Sequence, residues 1–269
     1  MSKIESLQKS RLVTSIVRFT ILCLLLLSFY IVYRTALKNI VAHDEVLVTL
    51  FLLWLISAYI LIPRLHRWMS KIYLPDYYIG RVKTYDGLLG DPINLAIFGS
   101  KQQVIQSMIN AGWTQATDLN WKSTVKMILA SVKHNSYPEA PVSSLYLFAR
   151  KQDIAFQIEV NGSPHKRHHV RFWATPKAWW LPGGHKADWL GAATYDRRVG
   201  FSTLTGQITH KISAEVDQER DFVVTTLQKS GRIDSINTVK HFTSGYHHRN
   251  GGGDSIRTDG ALPFITLKK

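Results

Sequence analysis

Two stretches decide the architecture: Leu12-Val-Thr-Ser-Ile-Val-Arg-Phe-Thr-Ile-Leu-Cys-Leu-Leu-Leu-Leu-Ser-Phe-Tyr-Ile-Val-Tyr33 and Val46-Leu-Val-Thr-Leu-Phe-Leu-Leu-Trp-Leu-Ile-Ser-Ala-Tyr-Ile-Leu-Ile-Pro63. The first is interrupted by one charge, Arg18, and the second by none. A helix rises about 1.5 Å per residue, so some 20 apolar residues cross a hydrocarbon core of about 30 Å. Both stretches meet that length, which predicts a two-helix transmembrane hairpin with spans at 12–33 and 46–63. Arg18 lies where a long side chain can snorkel to the head groups. The first run has no small-residue cleavage motif at its end, unlike a signal peptide.

The flanking charges set an orientation. Lys3, Lys9, Arg11 and Arg18 lie before or at the start of the first span, and Arg64, Arg67 and Lys71 follow the second. The loop between the spans carries Arg34 and Lys38 beside Asp44 and Glu45. The positive-inside rule then predicts a cell-membrane protein with both termini cytoplasmic.

The rest of the chain, 72–269, has the composition of an ordinary globular domain and is long enough to bury its own core. The chain's one cysteine, Cys23, lies in the first apolar run, so no internal disulfide or thiolate cluster is available. Lys and Arg number 33 against 19 Asp and Glu, a net charge of +14. Such a surface draws anions, and for a tethered domain anionic lipid is the nearest source. Nucleic acid is disfavoured, because no basic helix or binding motif accompanies the charge.

Within this domain Ile93–Phe98 reads as a buried strand. Ser100 caps a helix whose apolar face holds Val104, Ile105, Met108 and Ile109, and Gly112 ends it. Trp113 is expected to fold back onto that helix. A second helix is predicted over Trp121–Lys133, and a hairpin over Leu145–Ala149 and Ile154–Val160. Asn161–Pro164 is a turn, and His168–Thr175 and Leu190–Tyr195 are strands. Between those strands lies a Trp-, Gly- and Pro-rich loop that contains Trp179 and Trp180. A helix over Ala214–Lys229 and strands over Ile236–Phe242 and Pro263–Leu267 complete the pattern. Arg64–Leu88 reads as a connector, and Gly245–Asp259 as a mobile Gly-rich loop. Interspersed helices with frequent hairpins predict an α+β fold with a mixed or antiparallel sheet, its core over about 91–242.

Asp91-Pro92-Ile-Asn-Leu, Ala111-Gly112-Trp113, Ala155-Phe156-Gln157, Arg167-His-His-Val-Arg-Phe-Trp173, Gly191-Ala-Ala-Thr-Tyr-Asp196 and Thr209-His-Lys-Ile212 with Asp217-x-Glu-Arg220-Asp221 occur in that order. In this ordered series the chain resembles the LssY carboxy-terminal domain family. The resemblance implies a domain found beside membrane modules of the DedA type and lipid-phosphatase-like modules. It implies a lipid-linked setting and brings no defined activity with it.

The candidate chemistry centres on two segments. On a strand, Arg167, His169, Arg171 and Trp173 share one face while His168, Val170 and Phe172 share the other. Two guanidiniums on one face suit phosphate or carboxylate; the bland alternative is a solvated sheet face with Arg stacked on Trp. In the second segment His210 and Lys211 lead into a helix carrying Asp217, Arg220 and Asp221, where a carboxylate could orient an imidazole. Acids in a first helical turn also simply complement the helix dipole. The candidate catalytic residues are thus His169, His210, Asp217 and Asp221, and the candidate anion-binding residues are Arg167, Arg171, Lys211 and Arg220. Asp196, before Arg197-Arg198 at a strand end, could serve as a ligand or base, and the turn preference of Asp favours a turn-forming role instead. No spacing of the 11 His matches a metal site, and no cofactor motif is present.

Two functions fit. One is a membrane-anchored domain that binds, and in its stronger form processes, a phosphorylated lipid or lipid-linked anionic substrate. The other is a non-enzymatic scaffold that reads anionic lipid or a protein partner, using the basic face and the Trp179-Trp180 loop. Whether the chain is an enzyme stays open at this level.

Overall fold

The computed structural model describes scattered positions between 23 and 34, and then residues 46–73, 80–117, 142–243 and 246–268. The chain divides into two compact units. One comprises Met1–Leu74 with Thr205–Gln207, and the other comprises Pro75–Leu204 with Ile208–Lys269.

In the first unit α1 (Val46–Ile56), a π-helical turn (Ser57–Leu61) and α2 (Ile62–Tyr73) follow one another without a gap. The wide turn immediately precedes Pro63. Proline has no N–H to offer the carbonyl four residues back, and here the Ile62 N–H reaches Ser57 O, five residues back. Ser57 Oγ donates to Leu53 O at 2.6 Å inside the same bend. Helical structure extends to Tyr73, so Arg64–Tyr73 is not a loose connector. Leu47–Met69 is long and apolar enough to cross a membrane and is the one such helix among the described residues. The first apolar run falls for the most part outside the described residues, so the structure contains a candidate span rather than a hairpin of two.

The second unit is α+β, as expected, and its main sheet is mixed. The strands are β1 (Arg81–Thr84), β2 (Leu89–Pro92), β3 (Leu95–Phe98), β4 (Thr114–Gln115), β5 (Leu145–Leu147), β6 (Arg150–Lys151), β7 (Ile154–Val160), β8 (Ser163–Ala174), β9 (Trp189–Phe201), β10 (Ile208–Ile212), β11 (Ile233–Val239), β12 (His247–Arg249), β13 (Ser255–Arg257) and β14 (Leu262–Leu267). Helix α3 (Lys101–Asn110) follows β3, and α4 (Val216–Lys229) follows β10. The main sheet runs β11-β14-β3-β9-β8-β7-β4, with β10 added to the end of β9. Only β14 and β3 pair in parallel among these strands.

The sheet is buried on both faces. On one side Leu95, Ile97, Phe156, Val170 and Phe172 meet Val104 and Met108 of α3 and Val223 and Leu227 of α4. On the other, Ala96, Trp173, Leu190 and Ala192 meet Val82, Leu145 and Leu147 of a small sheet ordered β2-β1-β5-β6. A strand pair covered on both faces exposes neither side's pattern to water. The three layers of helices, main sheet and small sheet place the alternating face of β8 in the interior.

Local chemistry explains several boundaries. Ser100 accepts from Gln103 N while the Gln103 side chain accepts from Ser100 N, a full capping box at the start of α3. Asn161 and Gly162 both have positive φ, which is the backbone a two-residue β7–β8 turn requires. Asn94 substitutes for a missing strand residue: its side chain exchanges both hydrogen bonds with the Ala193 backbone at 2.9 and 3.0 Å.

Two expectations are corrected and two are extended. Strand β5 pairs with β1 and β6 and not with β7, because β7 is taken by β8 and β4. Thr209–Ile212 is a strand, β10. Trp113 folds back onto α3 as expected, its N–H bonding Met108 O at 3.0 Å and its side chain clustering with Val104 and Met108, and it also donates to Thr226 Oγ1 of α4 at 2.9 Å. The Gly-rich stretch after residue 245 is largely a β12–β13 hairpin, whose turn is closed by Asn250 Oδ1 accepting from Gly252 N and Asp254 N. The helix expected at Trp121–Lys133 lies outside the described residues.

Candidate functional site

Register builds the site. Across β8–β9, Arg167 lies opposite Asp196, His169 opposite Thr194 and Arg171 opposite Ala192, while Gln157 of β7 lies opposite His169. Directly opposed residues share a face. The polar face of β8 expected from alternation therefore exists, but it points at the small-sheet layer and not at solvent. Arg167 and Asp196 are each 2% exposed, as is His169.

Burial forces each charge to find a partner. Arg167 donates from Nη1 to Gln157 Oε1 at 3.0 Å and from Nη2 to Asp196 Oδ2 at 3.1 Å. His169 places Nδ1 3.4 Å from Asp196 Oδ2 and Nε2 2.7 Å from Thr194 Oγ1. His210 Nε2 approaches Arg167 Nη2 at 3.4 Å. Thus Arg167, His169 and His210, separate in sequence, converge on Asp196. Burial pushes the Asp196 carboxyl up, but His169, His210 and Arg167 more than offset this and hold it well below the usual carboxylate range.

Arg171 lies two residues on and has a different set of partners. Nη1 meets Asp91 Oδ2 at 3.3 Å, Nε donates to Ser143 O and Nη2 to Ser143 Oγ. Lys211 is held by Asp254 Oδ1 at 3.1 Å and Gly252 O at 2.8 Å. Arg220 sits apart, at the start of α4, bridging Asp217, Asp221 and Asp259. Burial lowers the Arg220 pKa, but hydrogen bonds to Asp259 and Asp221 outweigh it and hold the guanidinium above its ordinary value. Asp217 also accepts from Thr258 Oγ1 and Asp259 N. A cleft of about 270 Å³ opens here, lined by Arg220, Asp221, Val224, Ile236, Lys240 and His241 among others.

The eight candidate residues therefore fall into separate places. His169, His210 and Arg167 meet, Arg171 and Lys211 have their own acids, and Asp217, Arg220 and Asp221 form a third group. The sequence reading missed Gln157, Thr194 and Asp91 as partners and favoured a turn role for Asp196 over a role as ligand or base, whereas Asp196 is a buried position within β9. Their signal is cross-strand register, which local periodicity does not contain.

On the helix-facing side of β8, His168 Nδ1 lies 2.7 Å from Glu219 Oε2 of α4, and its ring stacks on Phe222 at 4.0 Å. Glu219 is buried, and its Oε1 has no hydrogen-bond partner. Burial raises the Glu219 pKa, with His168 opposing. A carboxyl with a raised folded pKa stabilises the fold fully below its unfolded value, and that contribution is lost as pH rises through the folded value. Thermal melts taken between about pH 4 and 8 test this: the wild type loses stability across that rise, and Glu219→Gln lacks this part of the slope. Parallel pH profiles for the two proteins would refute it.

Thr194, His169 and Asp196 are in the hydroxyl–imidazole–carboxylate order that activates nucleophiles. Here the three side chains are sealed in the interior, so the arrangement as it stands orients and holds protons and offers no surface to a substrate. Among the described residues, no group of three or more His, Cys, Asp or Glu is placed to hold a metal ion. In the loop before β9, Trp179 packs edge-on to Phe148, and Trp180 is exposed beneath Lys186 Nζ at 3.8 Å.

The fold and site define a sheet-rich α+β domain with a buried ion-pair network, in a chain that also has an apolar helix of membrane-crossing length. The chain belongs to the LssY C-terminus family, whose sequence model matches residues 71–262. No curated protein matches it significantly. No solved structure does so either.

Proposed function

We propose that the chain is a membrane-tethered domain that binds an anionic, phosphate-bearing lipid or lipid-linked substrate at the bilayer surface. The observation that carries this is the helical run Val46–Tyr73. It passes from an uncharged apolar stretch into a segment with Arg64, His66, Arg67 and Lys71. Basic residues at a helix exit meet the anionic head groups first, which supports a cytoplasmic side for this end; with the apolar run at 12–33 as a further span, both termini would be cytoplasmic.

Between the two forms of the proposal, binding has the better support. Arg167, Arg171 and Lys211 are already engaged by Asp196, Asp91 and Asp254. His169 and His210 are engaged around Asp196 and Arg167, whereas Asp217 and Asp221 are engaged with Arg220, so the expected imidazole–carboxylate pairs do not form. A scaffold that reads anionic lipid needs only the basic exit, whereas turnover needs an exposed reacting group.

The test uses the full chain in nanodiscs of mixed phosphatidylglycerol and phosphatidylcholine, with retained lipid identified by native mass spectrometry. Wild type retains phosphatidylglycerol preferentially. Arg64→Gln/Arg67→Gln/Lys71→Gln loses most of that preference, since each basic residue near an anionic surface contributes about 1 kcal/mol. Equal retention of both lipids by wild type would sink the proposal.

A further inference from the structure

The end of β9 and the start of β10 form a hairpin arm whose surface is unusual for a soluble unit. Val199, Phe201, Leu204 and Ile208 are all exposed, with Phe201 at 62% and Ile208 at 55%. Four large apolar side chains within ten residues are a concentrated patch, and such patches mark interaction surfaces. Register makes the arm two-faced. Phe201 pairs with Ile208 and Val199 with His210, so these share one face. Arg198 pairs with Lys211 and Gly200 with Thr209, so these share the other.

Charge identifies the partner. From Arg197 to Ile212 the chain has no Asp or Glu. Arg197 and Arg198 are exposed at the base of the arm, where Arg197 Nε also donates to Ile212 O at 2.9 Å across a β-bulge. A protein partner's rim is commonly met with both signs of charge. An acid-free arm with aromatic and aliphatic tips and a basic base fits the bilayer interface, where apolar side chains enter the acyl boundary and cations meet phosphate.

We infer that the β9–β10 arm is a membrane-inserting hairpin, with Phe201, Leu204 and Ile208 entering the lipid interface and Arg197 and Arg198 resting on head-group phosphates. This rests on the membrane tether proposed above. His210 lies on the same face of the arm as the apolar side chains and also approaches Arg167, so seating the arm on lipid would bear directly on the buried network.

The experiment places a nitroxide at Leu204→Cys in a Cys23→Ser background, with the full chain reconstituted in phosphatidylglycerol/phosphatidylcholine vesicles. Collision rates with oxygen and with a water-soluble nickel complex report depth. Insertion gives oxygen-dominated collisions. Adding Phe201→Ser and Ile208→Ser returns the label to nickel-dominated collisions; both positions are exposed, so the thermal midpoint stays unchanged. A label that favours nickel in the otherwise unchanged arm overturns the inference. So does a label shielded from both probes, which would mean that protein covers the arm. Oxygen-dominated collisions in pure phosphatidylcholine vesicles as well would uphold insertion while failing the anionic preference of the proposed function, so the two readings separate.

Discussion

Asp196→Asn destabilises the sheet-rich unit by about 3–5 kcal/mol, the cost of stranding a buried cation whose partner has been removed. Asn has nearly the same shape, so the loss comes from charge and not from packing. Arg167 then keeps only Gln157 as a strong acceptor, and His169 loses the group at its Nδ1. In a unit of this size the change lowers the thermal midpoint by roughly 6–20 °C. It also has a pH signature. The Asp196 carboxyl is depressed in the folded state, so its contribution is complete above the unfolded carboxyl value, about pH 4, and is lost as pH falls toward the folded value. The wild type therefore has an acid limb that Asp196→Asn lacks. Near-UV circular dichroism melts of the full chain in mild detergent at a series of pH values measure both effects. A midpoint within a degree or two of wild type would mean that Arg167 has no need of Asp196.

Much of the fold is legible where the controlling interaction is local. Ser100 and Gln103 are three residues apart and announce the start of α3. Asn161-Gly162 states its own turn, and Gly231 with its positive φ ends α4. The alternation from Arg167 to Trp173 places side chains on the correct pair of faces. What alternation does not contain is the layer that covers a face. Charged residues on one side of a strand normally indicate solvent, and here the small sheet, built from segments on either side of β3 and α3, packs against this face at Arg171 and Trp173. The acids that make this tolerable are remote: Asp196 is 29 residues from Arg167, and Asp91 is 80 from Arg171. Glu219 is 51 residues from His168 and lay hidden in a helix turn that also suits a dipole-complementing acid. Strand β10 is obscured for a related reason: its Ile208 faces out beside Phe201 while the adjacent Lys211 and Ile212 are both buried at a bulge, so burial does not alternate along it.

Arg171 and Asp91 decide between a structural pair and a ligand site, through a double-mutant cycle. Arg171→Met takes from the buried Asp91 carboxylate its ion-pair partner, leaving Arg81 as a nearby cation, and Asp91→Asn leaves the buried Arg171 with Ser143 as its hydrogen-bond acceptor and Asp196 as a more distant charge. Each single change costs about 3–5 kcal/mol. The paired change Arg171→Met/Asp91→Leu removes both charges and fills the space with apolar atoms between β8 and β2. Replacing a whole buried ion pair in this way is close to neutral, so the double variant recovers most of what either single loses. This follows from the low polarity of the site, which makes an unpaired charge far costlier than the pair is favourable. Burial also pushes the Arg171 guanidinium below its ordinary value against the pull of Asp91 and Asp196, consistent with a cation held by its acids rather than by water. An Arg171 that served chiefly to receive a phosphate would behave differently: Arg171→Met would cost little stability, and Asp91→Leu would not rescue it. Thermal midpoints for the four proteins in one detergent and buffer give the coupling directly. A non-additive recovery assigns Arg171 to the joint between main and small sheets, and additive losses return it to the list of ligand-binding cations.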